Sequence, residues 1–450
     1  METGNNSRAT LGRRLGAILV AAGGSVGLGN IWKFPYVLGE SGGAAFLIIY
    51  IGCILLLGMP IMLGEMAMGR EARKNVVGIY RHFDPRAKFL GFGNVLIAFL
   101  IMGFYLVVSG WTAEYFVSSV SGTLSKLSTV DDYTSLFNSF ITSGSRPVIF
   151  TWVFIAANFF IITLGVDKGI EKASKILMPI LFFILIALTV KSLTMPNSME
   201  GVKFLFKPDF SKITTDVFYR AMGQAFFSLS VGLGAIMTYA SYFDKKTKLL
   251  PTAISVTLLD TLVAIIAGLM IFPAVFSVGI EPTSGPSLVF ITLPAVLNSM
   301  PMSVLWSSVL FLLLIIAALT STLSLYEVVT LYVIEEWKVS RRKATLITSL
   351  GVGCLATLAS LSLGACPSIS VAGKSLFDGL DFLTSNVMLP LSGMGISIVA
   401  GWLVKREVLK RQLTDFGESK MRILNVVIFL LRYLCPILLG IVFLNCIGIL

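Results

Sequence analysis

The chain has 450 residues, of which 56% are hydrophobic and 13% are charged, and its formal net charge at pH 7 is +11. This composition excludes an ordinary soluble globular protein and indicates a polytopic membrane protein. The basic residues stand in short clusters between apolar runs, where they act as topology signals, so we expect no nucleic-acid partner. The five cysteines show no metal-ligand spacing, so no zinc site is expected.

Eleven apolar runs are long enough to cross about 30 Å of hydrocarbon as helices. Because Lys and Arg cluster on one side of these runs, we expect residues 1–10 to form a cytoplasmic N-terminal segment. The external connections 121–146 and 278–301 are longer, and we interpret them as caps, the second holding a short re-entrant helix. The predicted spans are 11–35, 41–69, 89–120, 147–164, 169–194, 215–242, 248–277, 302–337, 342–362, 375–404 and 423–447.

The pentapeptide "SVGLG" occurs twice, at residues 25–29 in span one and at residues 230–234 in span six. Five crossings separate the copies, so the second runs through the membrane in the opposite direction. The sequence therefore predicts an inverted repeat of two five-helix units, residues 11–194 and residues 195–404. Residues 405–450 then form a cytoplasmic connection and an eleventh span.

Glycine destabilises a helix by about 1 kcal/mol relative to alanine, so both glycine-rich segments can unwind. Unwound backbone at membrane depth is tolerated only where it lines a cavity. Its carbonyl oxygens suit Na⁺, and the N-terminal ends of half-helices attract a carboxylate. We therefore expect a midplane site for a zwitterion and cations. The alternative, that the glycines only let helices pack closely, is disfavoured by the polar residues Asn30, Ser228 and Ser230 beside them.

Four longer motifs carry a resemblance to a known family. They are "RLGAILVAAGGSVGLGNIWKFPY" in span one, "GEMAMGR" in span two, "GQAFFSLSVGLGAIMTYASY" in span six and "LTSTLS" in span eight. The chain resembles the bacterial branch of the neurotransmitter:sodium symporter family. This resemblance implies an all-α polytopic membrane protein with the LeuT-type fold, a 5+5 inverted-repeat bundle in which helices 1 and 6 are discontinuous.

The resemblance also implies two sodium sites and an amino-acid site. Tyr105 would hydrogen-bond the amino-acid carboxylate, and Phe227 would cover the site from outside. The first sodium site would use Ser25, Asn30, Ser228 and Asp260. The second would use Gly23, Val26, Ala317, Thr320 and Ser321. The amino acid would contact Gly24, Ser25, Leu28, Gly29, Ile101, Tyr105, Phe227, Ser228, Ser230, Leu233, Ser321 and Leu325.

The chemistry of these residues agrees with sodium, because hard oxygen ligands give softer metals nothing to prefer. For the hydroxyls of span eight alone, the alternative is a hydrogen bond back to a carbonyl of the same helix. Asp260 stands where chloride-dependent relatives carry an amide, which predicts chloride-independent transport; the alternative is an ion pair with a nearby cation. Glu65 and Glu327 would brace the unwound segments, or relay protons.

Two gates follow from the same resemblance. Lys33 and Asp381 occupy the external ion-pair positions, where the first is usually arginine, so the outer contact lacks a bidentate fork. Four residues would close the cytoplasmic side, namely Arg8, Glu335, Ser241 and Tyr242.

The predicted function is a sodium-coupled symporter that imports a neutral, hydrophobic or aromatic amino acid by alternating access, without chloride. We expect two sodium ions, no organic cofactor and a multi-pass location in the bacterial inner (plasma) membrane. The alternative is a ligand-binding sensor or an ion channel of the same fold without coupled transport. The HExxH motif of metalloproteases is missing from the sequence, and we expect no enzyme. Arg432, inside the last apolar run, either snorkels or meets an acidic or partner group.

Overall fold

The computed structural model of the chain describes residue 11 and residues 14–278, 288–371, 373–418 and 423–449. Within those ranges, nine helices are long and apolar enough to cross a membrane. They correspond to predicted spans two to five and seven to eleven, and we keep the names span one to span eleven below. Their bounds are Ala44–Ala72, Pro85–Val120, Ser145–Thr163, Val166–Leu193, Leu249–Ser277, Ser303–Trp337, Arg341–Leu361, Leu376–Leu403 and Leu424–Cys446.

Span one is broken, as predicted. Helix Arg14–Ser25 ends at the first glycine-rich pentapeptide, and a π-turn, Gly29–Lys33, leads into helix Phe34–Glu40. The axes on either side of the break differ by 49°. Counted together as one span, the two halves are long and apolar enough to cross a membrane, which makes ten spans among the described residues.

Span six is broken at the second pentapeptide. Its outer half is helix Thr215–Ser228 and its inner half is helix Ala235–Ala240. Three residues of the connection have left-handed backbone, Ser230 with φ of 53°, Gly232 with φ of 89° and Gly234 with φ of 74°. Such φ values favour glycine, which the sequence supplies at two of the three positions; Ser230 is the exception.

Prolines account for four π-turns within the spans. Pro35, Pro60, Pro390 and Pro436 each take the second position of an α-helical segment that directly follows a π-turn. A proline has no N–H to donate to the carbonyl four residues earlier, so the turn before it widens. Those turns are Gly29–Lys33, Ile54–Gly58, Leu383–Met388 and Leu430–Leu434; two others are Val166–Glu171 and Val399–Leu403.

Short elements cap the bundle. The connection after span three contains helix Val130–Thr142, which begins with a capping box between Thr129 and Asp132. The described part of the connection 278–301 contains helix Thr292–Asn298, and helix Ser198–Phe206 was not predicted. The remaining elements are Val76–Phe83, Leu124–Lys126, Phe210–Lys212, Arg406–Leu413, Asp415–Gly417 and an antiparallel strand pair, Ser370–Val371 with Lys374–Ser375.

The core lies between the broken spans and the continuous ones. The first half of span one packs against spans five, seven and eight, and the inner half of span six packs against span two. This second contact is close because of Gly69 in span two, where a Cβ atom would lie 2.2 Å from the Met237 carbonyl oxygen. A side chain there would push the half-helix away from its neighbour.

Candidate substrate and sodium sites

The two breaks face each other, and side chains of span six hold carbonyl groups of span one. The Ser230 hydroxyl donates to the Gly24 carbonyl at 2.9 Å, and the Gln224 amide donates to the Gly29 carbonyl at 3.0 Å. Backbone groups freed by unwinding need such partners at membrane depth. Gln224 was not among the predicted site residues, although its place before "AFFSLSVGLG" was a usable signal.

Other spans support the second break. The Asn94 amide and the Ser392 hydroxyl donate to the Gly232 carbonyl at 2.6 and 2.7 Å. The buried carboxylate of Glu65 faces the backbone amides of Gly232 and Gly234, although neither oxygen makes a hydrogen bond of standard geometry. The proximity agrees with a bracing role for Glu65. Asn94 was also missed, and one amide within an apolar run was the signal for it.

A cavity with about 340 Å³ of empty space lies where the breaks meet. Ten of the twelve residues expected to contact the amino acid line it; Leu28 and Ser228 do not, and Ser324 is added. The lining combines hydroxyl and backbone groups with apolar side chains. The lining residues are Gly24, Ser25, Gly29, Ile101, Tyr105, Phe227, Ser230, Leu233, Ser321, Ser324 and Leu325.

Tyr105 connects the cavity to the first break. Its hydroxyl accepts a hydrogen bond from the Leu28 backbone amide at 2.9 Å. Gly27 lies against the same hydroxyl, because a Cβ atom built there would be 2.9 Å from Tyr105 Oη and 1.9 Å from Ser321 Oγ. Only a glycine leaves both hydroxyl groups in place.

Three of the four residues expected at the first sodium site form one buried cluster. Asn30 Nδ2 donates to Asp260 Oδ1 at 2.8 Å and to Ser228 Oγ at 2.9 Å, and Ser228 Oγ donates to Asp260 Oδ2 at 2.8 Å. The fourth, Ser25, turns its hydroxyl to the Ala22 carbonyl of its own helix at 3.1 Å. The cluster also includes Tyr50, which was not predicted and whose hydroxyl donates to Ser228 Oγ at 3.0 Å.

The residues expected at the second sodium site also lie together. Thr320 Oγ1 and Ser321 Oγ are 3.4 and 3.5 Å from the Val26 carbonyl oxygen. Thr320 also donates to the carbonyl of Ala317 at 3.1 Å, so the back-bonded alternative describes this hydroxyl as well. A Cβ atom at Gly23 would lie 3.6 Å from Thr320 Cβ, so Gly23 lies next to Thr320 in this second cluster.

A vestibule with about 1070 Å³ of empty space lies on the other side of Phe227, which borders both spaces. The two predicted outer-gate residues meet here, since Lys33 Nζ is 3.4 Å from Asp381 Oδ1. Lys33 also donates to the Ser385 hydroxyl at 3.2 Å and lies 4.2 Å from the centre of the Phe227 ring. A single contact links the two charged groups.

The inner side is arranged around Glu327. The Tyr242 hydroxyl donates to Glu327 Oε1 at 2.6 Å, and Arg341 forms a salt bridge with the same carboxylate. Glu327 therefore holds Tyr242, two residues beyond the inner half of span six, in agreement with bracing. Glu335 accepts hydrogen bonds from Asn75.

The other two predicted inner-gate residues are Ser241 and Arg8. The Ser241 hydroxyl donates to the carbonyl of Thr238 in its own helix. Arg8 lies outside the described residues. The Leu11 backbone amide donates to the Tyr242 carbonyl at 3.0 Å, so the N-terminal end of the described chain contacts the end of span six.

Two discontinuous helices around a midplane cavity with paired oxygen-rich clusters define a secondary transporter. The model of the sodium:neurotransmitter symporter family matches residues 8–139 and 132–449. The chain belongs to this family and is a sodium-dependent symporter of it; the family is one of transporters.

Individual relatives agree with that assignment. The chain is 37% identical over 439 residues to an uncharacterized sodium-dependent transporter, YhdH, of Bacillus subtilis (strain 168), with 97% of each chain covered. It is 35% identical to an uncharacterized sodium-dependent transporter of Haemophilus influenzae, with 99% of each covered. The crystal structure of MhsT in complex with L-phenylalanine is similar at a TM-score of 0.90 and 41% identity, covering 98% of this chain and 100% of that one. The chain thus has the LeuT fold.

Proposed function

We propose that this symporter imports a neutral, hydrophobic or aromatic amino acid together with two sodium ions, and without chloride. The observation that carries the proposal is the cavity between the two breaks, whose lining combines hydroxyl and backbone groups with apolar side chains. That MhsT, 41% identical to this chain, was solved with L-phenylalanine supports the same substrate class. No organic cofactor is required, because the process involves no covalent step.

The two kinds of lining group suit the two parts of such a molecule. The α-carboxylate would lie near Tyr105 and the backbone of the first break, where N–H groups at the start of a half-helix favour an anion. The side chain would contact Ile101, Leu233 and Leu325, with Phe227 above it. Gly27 leaves room for the substrate's own carboxylate, whereas an amine substrate would lack one.

The sodium ions would take over existing interactions. At the first cluster the Asn30 amide would turn its oxygen toward the ion, joining Asp260, Ser228 and the Ser25 carbonyl, with the substrate carboxylate as a further ligand. At the second cluster the hydroxyls of Thr320 and Ser321 would join carbonyls of span one and of Ala317. The first ion then joins spans one, six and seven, and the second bridges span one and span eight, which would move relative to one another.

Transport would proceed by alternating access, with spans one, two, six and seven rocking against the others. The sodium gradient and the membrane potential, about 2.3 kcal/mol per charge per 100 mV, would drive accumulation. We keep residues 11–194 and 195–404 as the two repeats, a cytoplasmic N-terminus and the bacterial plasma membrane as parts of this proposal.

The test is binding and uptake of labelled phenylalanine by the purified protein. We expect sodium-dependent binding that hydrophobic and aromatic amino acids displace and charged ones do not, and uptake into proteoliposomes against the gradient. The control replaces Na⁺ by K⁺. Binding without accumulation would favour a sensor, and sodium-independent leak would favour a channel.

The outer closure gives a separate prediction. Lys33→Met removes the contacts to Asp381, Ser385 and the Phe227 ring. An exposed ion pair and a cation–π contact contribute about 1 kcal/mol each at most, so we expect labelled substrate to leave the outward side about threefold to tenfold faster. The measurement is release after dilution into unlabelled amino acid.

The matched variant for this experiment is Lys33→Arg. Its planar fork can hold Asp381 through two hydrogen bonds, so we expect release at or below the wild-type rate. Equal release rates for all three proteins would contradict a closing role for Lys33.

A further inference from the structure

Spans ten and eleven are joined near one membrane surface by a reciprocal pair of hydrogen bonds. The Trp402 indole N–H donates to the Arg432 carbonyl at 3.0 Å, and Arg432 Nε donates to the Gly401 carbonyl at 2.6 Å. Both acceptors are carbonyls that their own helices leave free. In an α-helix the Arg432 carbonyl would accept from the backbone N–H of residue 436, but that residue is proline and has none. Gly401 lies in the last turn of its helix, where carbonyls have no helical donor.

The close crossing fixes where the guanidinium points. A Cβ atom at Gly401 would lie 3.0 Å from Arg432 Cγ, so the glycine lets the arginine stem pass over span ten. The guanidinium carbon then lies 5.6 Å from the centre of the Trp402 ring. Among the described residues, no acidic group pairs with Arg432, and its two terminal nitrogens have no acceptor. The sequence alternative of an acidic protein partner finds no support there.

The guanidinium lies within an exposed aromatic surface. Trp402, Tyr433 and Phe429 are 55%, 44% and 57% exposed, and we call these three residues with Arg432 the aromatic–arginine patch. Tyr433 packs edge-on against Trp402 and also contacts Phe429, so the rings are continuous. Exposed aromatic side chains at a helix end are typical of the membrane–water boundary.

The depth of the patch follows from the end of span ten. That span ends at Leu403, one residue after Trp402, and the exposed basic residues Lys405 and Arg406 follow. Arg432 therefore reaches the level at which lipid headgroups begin, although its Cα lies about two helical turns inside span eleven. A positive group without a protein counter-charge at this level attracts anionic headgroups.

We propose that the aromatic–arginine patch is a binding site for one anionic phospholipid. The phosphate accepts two hydrogen bonds from the terminal nitrogens of Arg432, the bidentate geometry that a guanidinium favours. Lys405 adds positive charge on the aqueous side, and the acyl chains lie along the exposed faces of Tyr433 and Ile437, which are deeper in the membrane than Arg432. The lipid belongs to the leaflet on the N-terminal side, which is the cytoplasmic one if the proposed orientation holds. These flanking apolar faces favour a lipid over free phosphate.

The experiment is native mass spectrometry of the purified full-length protein after incubation with phosphatidylglycerol or with phosphatidylcholine of the same chains. We expect one retained phosphatidylglycerol on the wild type and at least fivefold less retention on Arg432→Gln. The control is Arg406→Gln, which removes the same charge from an exposed residue bonded to Asn425. It should lower retention by less than twofold, and inorganic phosphate should not displace the lipid.

A second variant keeps the test decisive if Arg432→Gln does not fold. Arg432→Lys retains the charge and loses the planar fork. It should therefore retain less lipid than the wild type and Arg406→Gln, and more than Arg432→Gln. Equal retention of the two lipids by the wild type would overturn the proposal. So would displacement by phosphate, or a dimer that forms only when Arg432 is present, since the patch would then contact a second copy.

Discussion

Replacing Asp260 by asparagine is expected to weaken sodium-coupled uptake at least tenfold in chloride-free medium. Asp260 is fully buried, and its carboxylate oxygens already collect donors from Asn30 and Ser228. A cation in such surroundings is stable only beside a compensating charge, because burial of an unpaired ion is costly. A tenfold loss corresponds to about 1.4 kcal/mol, which is small for a missing buried counter-charge.

The measurement is the sodium concentration for half-maximal uptake, in chloride and in gluconate. The wild type should give the same value in both media, and the asparagine variant should recover part of its affinity in chloride, since the anion can replace the lost charge. Ser228→Ala is the comparison, because it removes one oxygen and keeps the carboxylate; its loss should be smaller. Wild-type uptake that requires chloride, or an unaffected asparagine variant, would contradict the assignment.

Replacing Gly27 by alanine should lower amino-acid affinity at least tenfold. The added Cβ would lie 1.9 Å from Ser321 Oγ and 2.9 Å from Ser321 Cβ and Tyr105 Oη. One methyl group would therefore displace a hydroxyl proposed to hold sodium and the hydroxyl proposed to hold the carboxylate. Separations under 3.0 Å are not tolerated without movement, and both neighbours stand on long, buried helices.

Equilibrium binding of labelled amino acid at saturating sodium measures this effect. The matched control is Gly52→Ala in span two, where the new Cβ meets no atom within 4 Å. That change should leave affinity intact and stabilise the helix slightly, because alanine is the better helix former. If both alanine variants bind equally well, Gly27 does not border the substrate.

The spans were predictable from sequence because hydrophobic length sets them directly. Span eight was expected at 302–337 and is Ser303–Trp337, and span seven was expected at 248–277 and is Leu249–Ser277. The breaks in spans one and six were predictable for another reason, since glycine-rich pentapeptides at matching places have few structural uses. Helix Ser198–Phe206 was not predicted, because it lies in a connection too short and too polar to be a span.

The residues that were missed share a physical reason. Tyr50, Gln224 and Asn94 act through distant partners, with Tyr50 and Ser228 separated by 178 positions in the chain. Nothing near them in sequence indicates which carbonyl or hydroxyl they contact. Arg432 was noticed as a charge in an apolar run, but its Trp402 and Gly401 partners follow only from how two helices cross.

The backbone groups at the two breaks already have protein partners. Gln224, Ser230 and Asn94 hold three of the carbonyls, and Tyr105 meets an amide. Arriving ions and substrate thus exchange places with groups of the protein itself, and little of the peptide chain has to be ordered from scratch. Both kinks are thus supported by the protein's own side chains, so the occupants of the site can change without refolding of either kink.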